Sequence, residues 1–209
     1  MQSPIPIVYL VDDDQDIRSS LSRALKKRGF EVVSFASADA FLEAYSPMQA
    51  GCLVLDYGMP GMNGLELQER LVSLGSSLPI IFITGHGGIP ESVQAMKAGA
   101  VDFLEKPFRQ DVLVERITTS FEIDRKERLD GEAHEEAQAA FDRLTDREKE
   151  IAGLMVSQPS DASSKELARQ LDISPRTVDH HRARILEKMS VRSIAELVDL
   201  AARAKLLKH

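Results

Sequence analysis

The chain has 209 residues, long for one domain and comfortable for two, and its 43% hydrophobic and 28% charged residues are ordinary for a globular protein. That composition excludes a fibrous, low-complexity or disordered chain. No apolar run approaches the roughly 20 residues that span a bilayer, and no basic-then-apolar leader opens the sequence, so a cytoplasmic protein without a membrane partner is expected. The net charge of −7 is unevenly spread. Residues 141–209 hold 13 Lys and Arg against 11 Asp and Glu, leaving 13 against 22 for residues 1–140. Overall acidity argues against nucleic-acid binding, but this split keeps it open for the C-terminal part. The one cysteine, Cys52, lies in the apolar run GCLVLD and reads as a small core residue.

The first element is the apolar run IPIVYLV, which ends on Asp12, Asp13 and Asp14. Three adjacent carboxylates at a strand tip fit a cation site, a helix N-cap or a solvated loop. Ile17 to Arg28 follows as an amphipathic helix, with Ile17, Leu21, Ala24 and Leu25 on one face. Further strands are expected at EVVSF, CLVLD, IIFIT and DFLEK, with a helix over Ser92 to Ala98 stopped by Gly99. Strands alternating with helices predict parallel pairing, hence an α/β domain with a doubly wound, five-stranded parallel sheet covered on both faces.

That topology brings particular polar residues together. Asp12 and Asp13 end the first strand, Asp56 the third, Thr84 the fourth and Lys106 the fifth. All are expected at the carboxyl edge, where open α/β sheets place their sites. Carboxylates, a hydroxyl and an ammonium suit phosphoryl transfer. Mg²⁺ takes oxygen ligands and offsets the acidic repulsion. Asp56 is the candidate nucleophile, and Thr84 and Lys106 would bind the transferred phosphoryl oxygens. The plainer alternatives are strand-end turns for Asp56 and Thr84, plain core for Phe103 and an ordinary loop histidine for His86.

VDDD, LDYGMPGMNG, FITGHG and LEKPF together resemble the signatures of response-regulator receiver domains, over about residues 5 to 125. The resemblance implies a flavodoxin-like fold and a phospho-acceptor, Asp56, served by a sensor histidine kinase. It further implies Mg²⁺ held by Asp12, Asp13, Asp56 and the backbone carbonyl of Gly58. Thr84 would swing toward the phosphoryl group, Phe103 would turn inward beside it, and the Lys106–Pro107 bond would be cis. His86, two residues past Thr84, would tune the phosphate lifetime if it is more than a loop histidine.

The receiver is expected over 1–124 and a charged helical linker over 125–140. Ile117, Phe121 and Asp124 share one helical face, as do Arg125 and Leu129, so the apolar stripe thins out. The last receiver helix is expected to run on into solvent, with Gly131 as the candidate break. A partner-binding coiled coil is the weaker alternative, because sustained apolar heptads are missing.

An all-α domain of four helices is expected over 141–209. Thr145 with Glu148 reads as a capping box, Ser163 or Ser164 caps the next helix, and Ser174 with Pro175 opens DISPRTVDHHRARILEKM. SIAELVDLAARAKLL supplies the last helix. Two short helices around a tight LDIS turn, the second rich in arginine, suit a helix-turn-helix. Val178, Ile185, Leu186 and Met189 form the inward stripe of that second helix, while Asp179, His180, Arg182, Ala183 and Arg184 look outward. A solvated charged face is the plainer reading.

LTDREKEI, KELARQLDISPRTVDHHRARILEKM and VRSIAELVDLA resemble the LuxR-type DNA-binding domain of FixJ-like and NarL-like response regulators. The resemblance places Asp179, His180 and Ala183 against the major groove, with Arg176, Thr177, Arg182, Arg184 and Lys188 as mainly backbone contacts. The join VSQPSDASSKELA is about three residues longer than the family's Gly-containing turn. An acidic Asp179 on a basic face could accept from a cytosine amino group or discourage nonspecific binding.

The expected function is a response regulator that is phosphorylated on Asp56, forms a homodimer and binds a two-fold-related promoter site, with RNA polymerase as a further partner. It would be no enzyme beyond its own phosphoryl uptake and loss. Two rivals are a phosphatase turning over through Asp56 and a phosphorylation-independent DNA binder with a vestigial receiver.

Overall fold

The computed structural model describes residues 5–85, 89–159 and 163–206. It divides into two compact units, residues 1–128 and 129–209. In the first, β1 (Ile7–Val11), β2 (Glu31–Phe35), β3 (Gly51–Asp56), β4 (Ile80–Thr84) and β5 (Asp102–Glu105) form an all-parallel sheet of order β2-β1-β3-β4-β5. The expected doubly wound α/β sheet is therefore present. Its winding reverses between β1 and β3, the position where such sheets open a crevice.

The period-two alternation of the strands sorts their side chains onto two apolar layers. Tyr9, Val11, Leu53, Leu55, Ile80 and Phe82 meet α2 (Ala38–Ala44), α3 (Gly64–Ser73) and α4 (Ile89–Lys97) through Phe41, Leu67, Leu71 and Ala95. Val8, Leu10, Cys52, Val54, Ile81 and Ile83 meet α1 (Gln15–Lys26) and α5 (Gln110–Asp142) through Leu21, Leu25, Leu113 and Ile117. Each buried Leu, Ile or Phe contributes about 1.5–3 kcal/mol, so both layers hold the sheet against its helices. Cys52 is wholly buried, and burial raises its thiol pKa.

The helix ends follow local chemistry. Asp14 is the N-cap of α1, accepting from the backbone N–H groups of Asp16 and Ile17. Gly99 stops α4 with φ +92°, a left-handed conformation that lets Ala100 N–H return to Ala95 C=O at 3.1 Å.

Helix α5 departs from expectation. It is unbroken through Gly131, and Asp124 is buried rather than the start of a solvated face. Asp124 Oδ2 accepts Gly51 N–H at 3.1 Å, and both its oxygens accept Arg128 Nε. Arg128 also donates to the carbonyls of Pro47, Met48 and Gln49. A charged pair continues the inward stripe because it satisfies backbone groups at the amino edge of the sheet. Gly51 allows the close approach there: a Cβ on it would lie 2.1 Å from Ile7 C=O. The segment read as linker is exposed at 129–136, whereas Ala137 and Ala140 are buried.

In the second unit α6 (Asp146–Ser157), α7 (Ser164–Leu171), α8 (Pro175–Lys188) and α9 (Ile194–Arg203) enclose Ile151, Met155, Leu167, Val178, Ile185, Met189 and Leu197. The Thr145–Glu148 capping box is complete, Ser163 is the cap of α7, and Ser174 caps α8 with Pro175 in the first turn. Asp172 closes α7 in a left-handed conformation, φ 52°, which turns the chain sharply into α8. Among the described residues no helix is long and apolar enough to cross a membrane.

Candidate functional site

The parallel register places the ends of β1, β3 and β4 side by side, with Val11 paired to Leu55 and Asp56 to Ile83. Asp12 and Asp56 therefore emerge on adjacent strands, both buried, at 1% and 6% exposure. Lys106, just after β5, reaches across to them: its Nζ donates to Asp12 Oδ2 at 2.7 Å and Asp56 Oδ1 at 2.6 Å. The outer oxygens are also held. Asp14 N–H donates to Asp12 Oδ1 and Gly58 N–H to Asp56 Oδ2, each at 2.9 Å.

The charges are in tension. Burial raises the Asp12 carboxyl pKa above the usual range, against the bonds from Lys106 and Asp14, and Asp56 adds repulsion. Burial also works against the Lys106 ammonium, but its bonds to Asp12 and Asp56 prevail and hold its pKa above the ordinary lysine value. One ammonium thus faces two buried acidic groups at the carboxyl edge of the sheet.

Asp13 is exposed at the rim, and Thr84 is buried at the end of β4. Lys106 N–H donates to Thr84 C=O at 2.7 Å, which joins the two strand ends. The Lys106–Pro107 bond is cis. Phe103 is half-buried in the apolar layer, with its ring centroid 6.0 Å from that of Tyr57 and 6.1 Å from that of Phe82. His86 lies outside the described residues.

Two supports were missed in the sequence. Arg18 Nη1 donates to Asp12 C=O at 2.6 Å and fixes the β1–α1 turn. An arginine in the first turn of a helix opposes the helix dipole, and that mismatch was the available signal. Gly64 is the second: its N–H donates to Tyr57 C=O, and a Cβ there would lie 2.6 Å from Asp56 C=O and 2.9 Å from the Phe82 ring. Only a glycine lets α3 start this close to the acceptor strand. Asn63, capping α3 reciprocally with Glu66, sets where that start falls.

Among the described residues no three His, Cys, Asp or Glu side chains are grouped as metal ligands, since Asp12 and Asp56 turn their oxygens to Lys106 and to backbone N–H groups. The available donors are nevertheless all oxygen, from Asp12, Asp13, Asp56 and the Gly58 carbonyl, and they fit a hard divalent cation.

On the C-terminal unit, Arg176, Thr177, Asp179, His180, Ala183 and Arg184 are exposed along α8, and Arg182 is half-buried. Thr177 Oγ1 shares a hydrogen bond with Ser174 Oγ at 2.7 Å. Asp179 Oδ1 accepts from Ser164 Oγ, and Arg182 Nη1 donates to the same hydroxyl at 2.8 Å. Lys188 is engaged elsewhere: its Nζ donates to Glu148 Oε2 at 2.6 Å and to Arg143 C=O at 3.3 Å. Glu148 is buried in the capping box. Burial opposes its charge, but the bonds from Lys188 and Thr145 outweigh it and lower its pKa to about 2.

A doubly wound sheet with an Asp–Asp–Thr–Lys edge, followed by a capped helix-turn-helix, defines a class: a receiver joined to an effector that meets DNA. Comparison with known proteins gives the family. Residues 8–118 match the response regulator receiver domain, and residues 142–201 match the bacterial regulatory proteins of the luxR family. The chain is 40% identical over 200 residues to the transcriptional regulatory protein FixJ of Bradyrhizobium diazoefficiens, covering 96% of each. It is 39% identical over 199 residues to the response regulator protein TmoT of Ectopseudomonas mendocina, covering 95% of this chain and 89% of that one. Among solved structures, the response regulator StyR matches with TM-score 0.82 at 42% identity, covering 95% of this chain and 98% of that one. Full-length FixJ from B. japonicum matches with TM-score 0.58 at 39% identity, covering 99% and 100%. The chain belongs to the two-component response regulators with a LuxR-type DNA-binding domain, a family of transcription regulators. Its two domains imply a kinase partner and DNA binding.

Proposed function

We propose that a sensor histidine kinase phosphorylates Asp56 and that the phosphorylated chain dimerises and binds a two-fold-related promoter site to regulate transcription, in contact with RNA polymerase. The observation that carries this reading is the Lys106 ammonium held between the Asp12 and Asp56 carboxylates at the carboxyl edge of the sheet. Asp56 Oδ1 attacks the phosphoryl group, and the bond to the kinase's phosphohistidine nitrogen breaks. Lys106 then transfers its bond to a phosphoryl oxygen, and Thr84 moves to a second one. Asp12, Asp13, Asp56 and the Gly58 carbonyl would hold Mg²⁺, which when bound would neutralise charge on the incoming oxygens.

The new charge is reported through Thr84 and Phe103 to the surface of the last two strand–helix units. Val93 and Met96 expose apolar side chains on α4 there, and that face is the proposed dimer contact. Pairing two weak half-site interactions makes one tight one. On α8, His180 and Ala183 face the major groove with Asp179 beside them, while Arg176, Thr177, Arg182 and Arg184 meet the backbone. Lys188, tied to Glu148, serves the domain's packing before it serves DNA.

The test compares wild type and Asp56→Asn with beryllofluoride, which mimics the phosphoryl group on an aspartate. Wild type is expected to double in mass and to bind promoter DNA more tightly, and the variant to do neither. A variant that dimerises and binds as wild type does would overturn the switch.

A further inference from the structure

The helix-turn-helix contains a polar bridge that neither core packing nor capping requires. Ser163 caps α7, leaving the adjacent Ser164 hydroxyl free of that task. Ser164 instead looks across to α8, donating to Asp179 Oδ1 and accepting from Arg182 Nη1 at 2.8 Å. A hydroxyl has one proton to give and lone pairs to receive, so one serine can join a carboxylate and a guanidinium in a fixed order. Asp179 and Arg182 are three residues apart and lie on one face of α8. Asp179 is an exposed carboxylate among Arg176, Arg182 and Arg184, where it would repel the phosphates of an approaching duplex.

We propose that Ser164 is a positioning residue for DNA: its hydroxyl aims Arg182 at a phosphate and holds Asp179 away from the base edges, so Asp179 does not read a base. The inference rests on the DNA-binding reading above. It weighs against a base contact from Asp179, since one of its two carboxylate oxygens is anchored to Ser164 on α7. It also gives a role to the serine that ends the lengthened α6–α7 join.

The test uses the full chain with beryllofluoride and a duplex selected by the wild type from a random library. Affinity is measured over a salt series and against single-base variants of that duplex. Ser164→Ala, at the first position of α7 where alanine is well tolerated, is expected to weaken binding roughly tenfold, the value of one charge-assisted contact. The loss should be uniform across base variants, and the slope of log K against log salt should flatten by about 0.9. Arg182→Ala should behave likewise, the double variant should lose nothing further, and Ser164→Thr should restore binding. Asp179→Ala should leave the ranking of base variants unchanged. Wild-type affinity and slope in Ser164→Ala, or a changed preference at one base pair in Asp179→Ala, would overturn the proposal. A wild type that selects no sequence would instead overturn the DNA-binding reading, and the inference with it.

Discussion

At Lys106 one ammonium balances two buried carboxylates, and the consequences can be measured residue by residue. Lys106→Met leaves Asp12 and Asp56 facing each other without a counter-charge, and is expected to cost about 3 kcal/mol of receiver stability in urea unfolding. Millimolar Mg²⁺ should restore part of that loss, because a cation that binds only the folded site stabilises it by mass action. No recovery with Mg²⁺ would count against the proposed ligand set. Glu148 offers a test by pH. Its folded pKa of about 2 lies below the ordinary value of 4.5, so its contribution is fully present above about pH 4.5. That contribution is lost as pH falls toward 2. Calorimetric melting of the full chain should show acid destabilisation of the C-terminal transition, and Glu148→Gln should flatten that dependence while costing roughly 1–3 kcal/mol near neutrality.

Among the elements, α5 shows how a helix can continue a core contact with charges instead of apolar side chains. Arg128 donates to three successive carbonyls of the α2–β3 loop and to the buried Asp124, which itself holds Gly51 at the start of β3. Arg128→Ala would leave the buried Asp124 carboxylate without its counter-charge, held only by the Gly51 N–H. Amide hydrogen exchange is expected to quicken over residues 45–51 and 120–130, with a loss of about 2–4 kcal/mol. Protection unchanged from wild type would refute the clamp. The spacing of Asp124 and Arg128 is that of a helical ion pair, and this was the one signal in the sequence. Their burial was hidden because helical periodicity counts apolar residues only. The α3 start depends on Gly64 in a similar way, since closeness to Asp56 and Phe82 is a fact about two elements that meet.

For the molecule as a whole, signalling needs a surface that changes partners when Asp56 is charged. Val93 and Met96 are about half exposed on α4, one strand removed from the acceptor. Val93→Glu is expected to leave acetyl-phosphate labelling of Asp56 intact and to abolish the beryllofluoride-dependent dimer in sedimentation. Dimerisation at wild-type strength would move the interface elsewhere. The net charge division between the chain's two parts is consistent with separate partners, an acidic receiver and a C-terminal domain near neutrality with three of its eight arginines on α8.

The amino-acid order by itself determined the alternating strands and helices, the carboxyl-edge gathering of Asp12, Asp56, Thr84 and Lys106, and the caps at Thr145 and Ser174. These follow from period-two and helical patterning, from parallel topology and from side chains that bond backbone groups within three residues, all of which are local or nearly local. Of the three adjacent aspartates, Asp12 joins Lys106, Asp13 is exposed and Asp14 caps α1. That division emerged only in part from the run VDDD. Tertiary structure alone decided that Lys106 reaches both carboxylates, that Asp124 is buried, that Lys188 belongs to Glu148 and that Ser164 joins Asp179 to Arg182. Each of those pairs residues distant in the chain, where the partner of a charge is set by packing and desolvation and no periodicity records it.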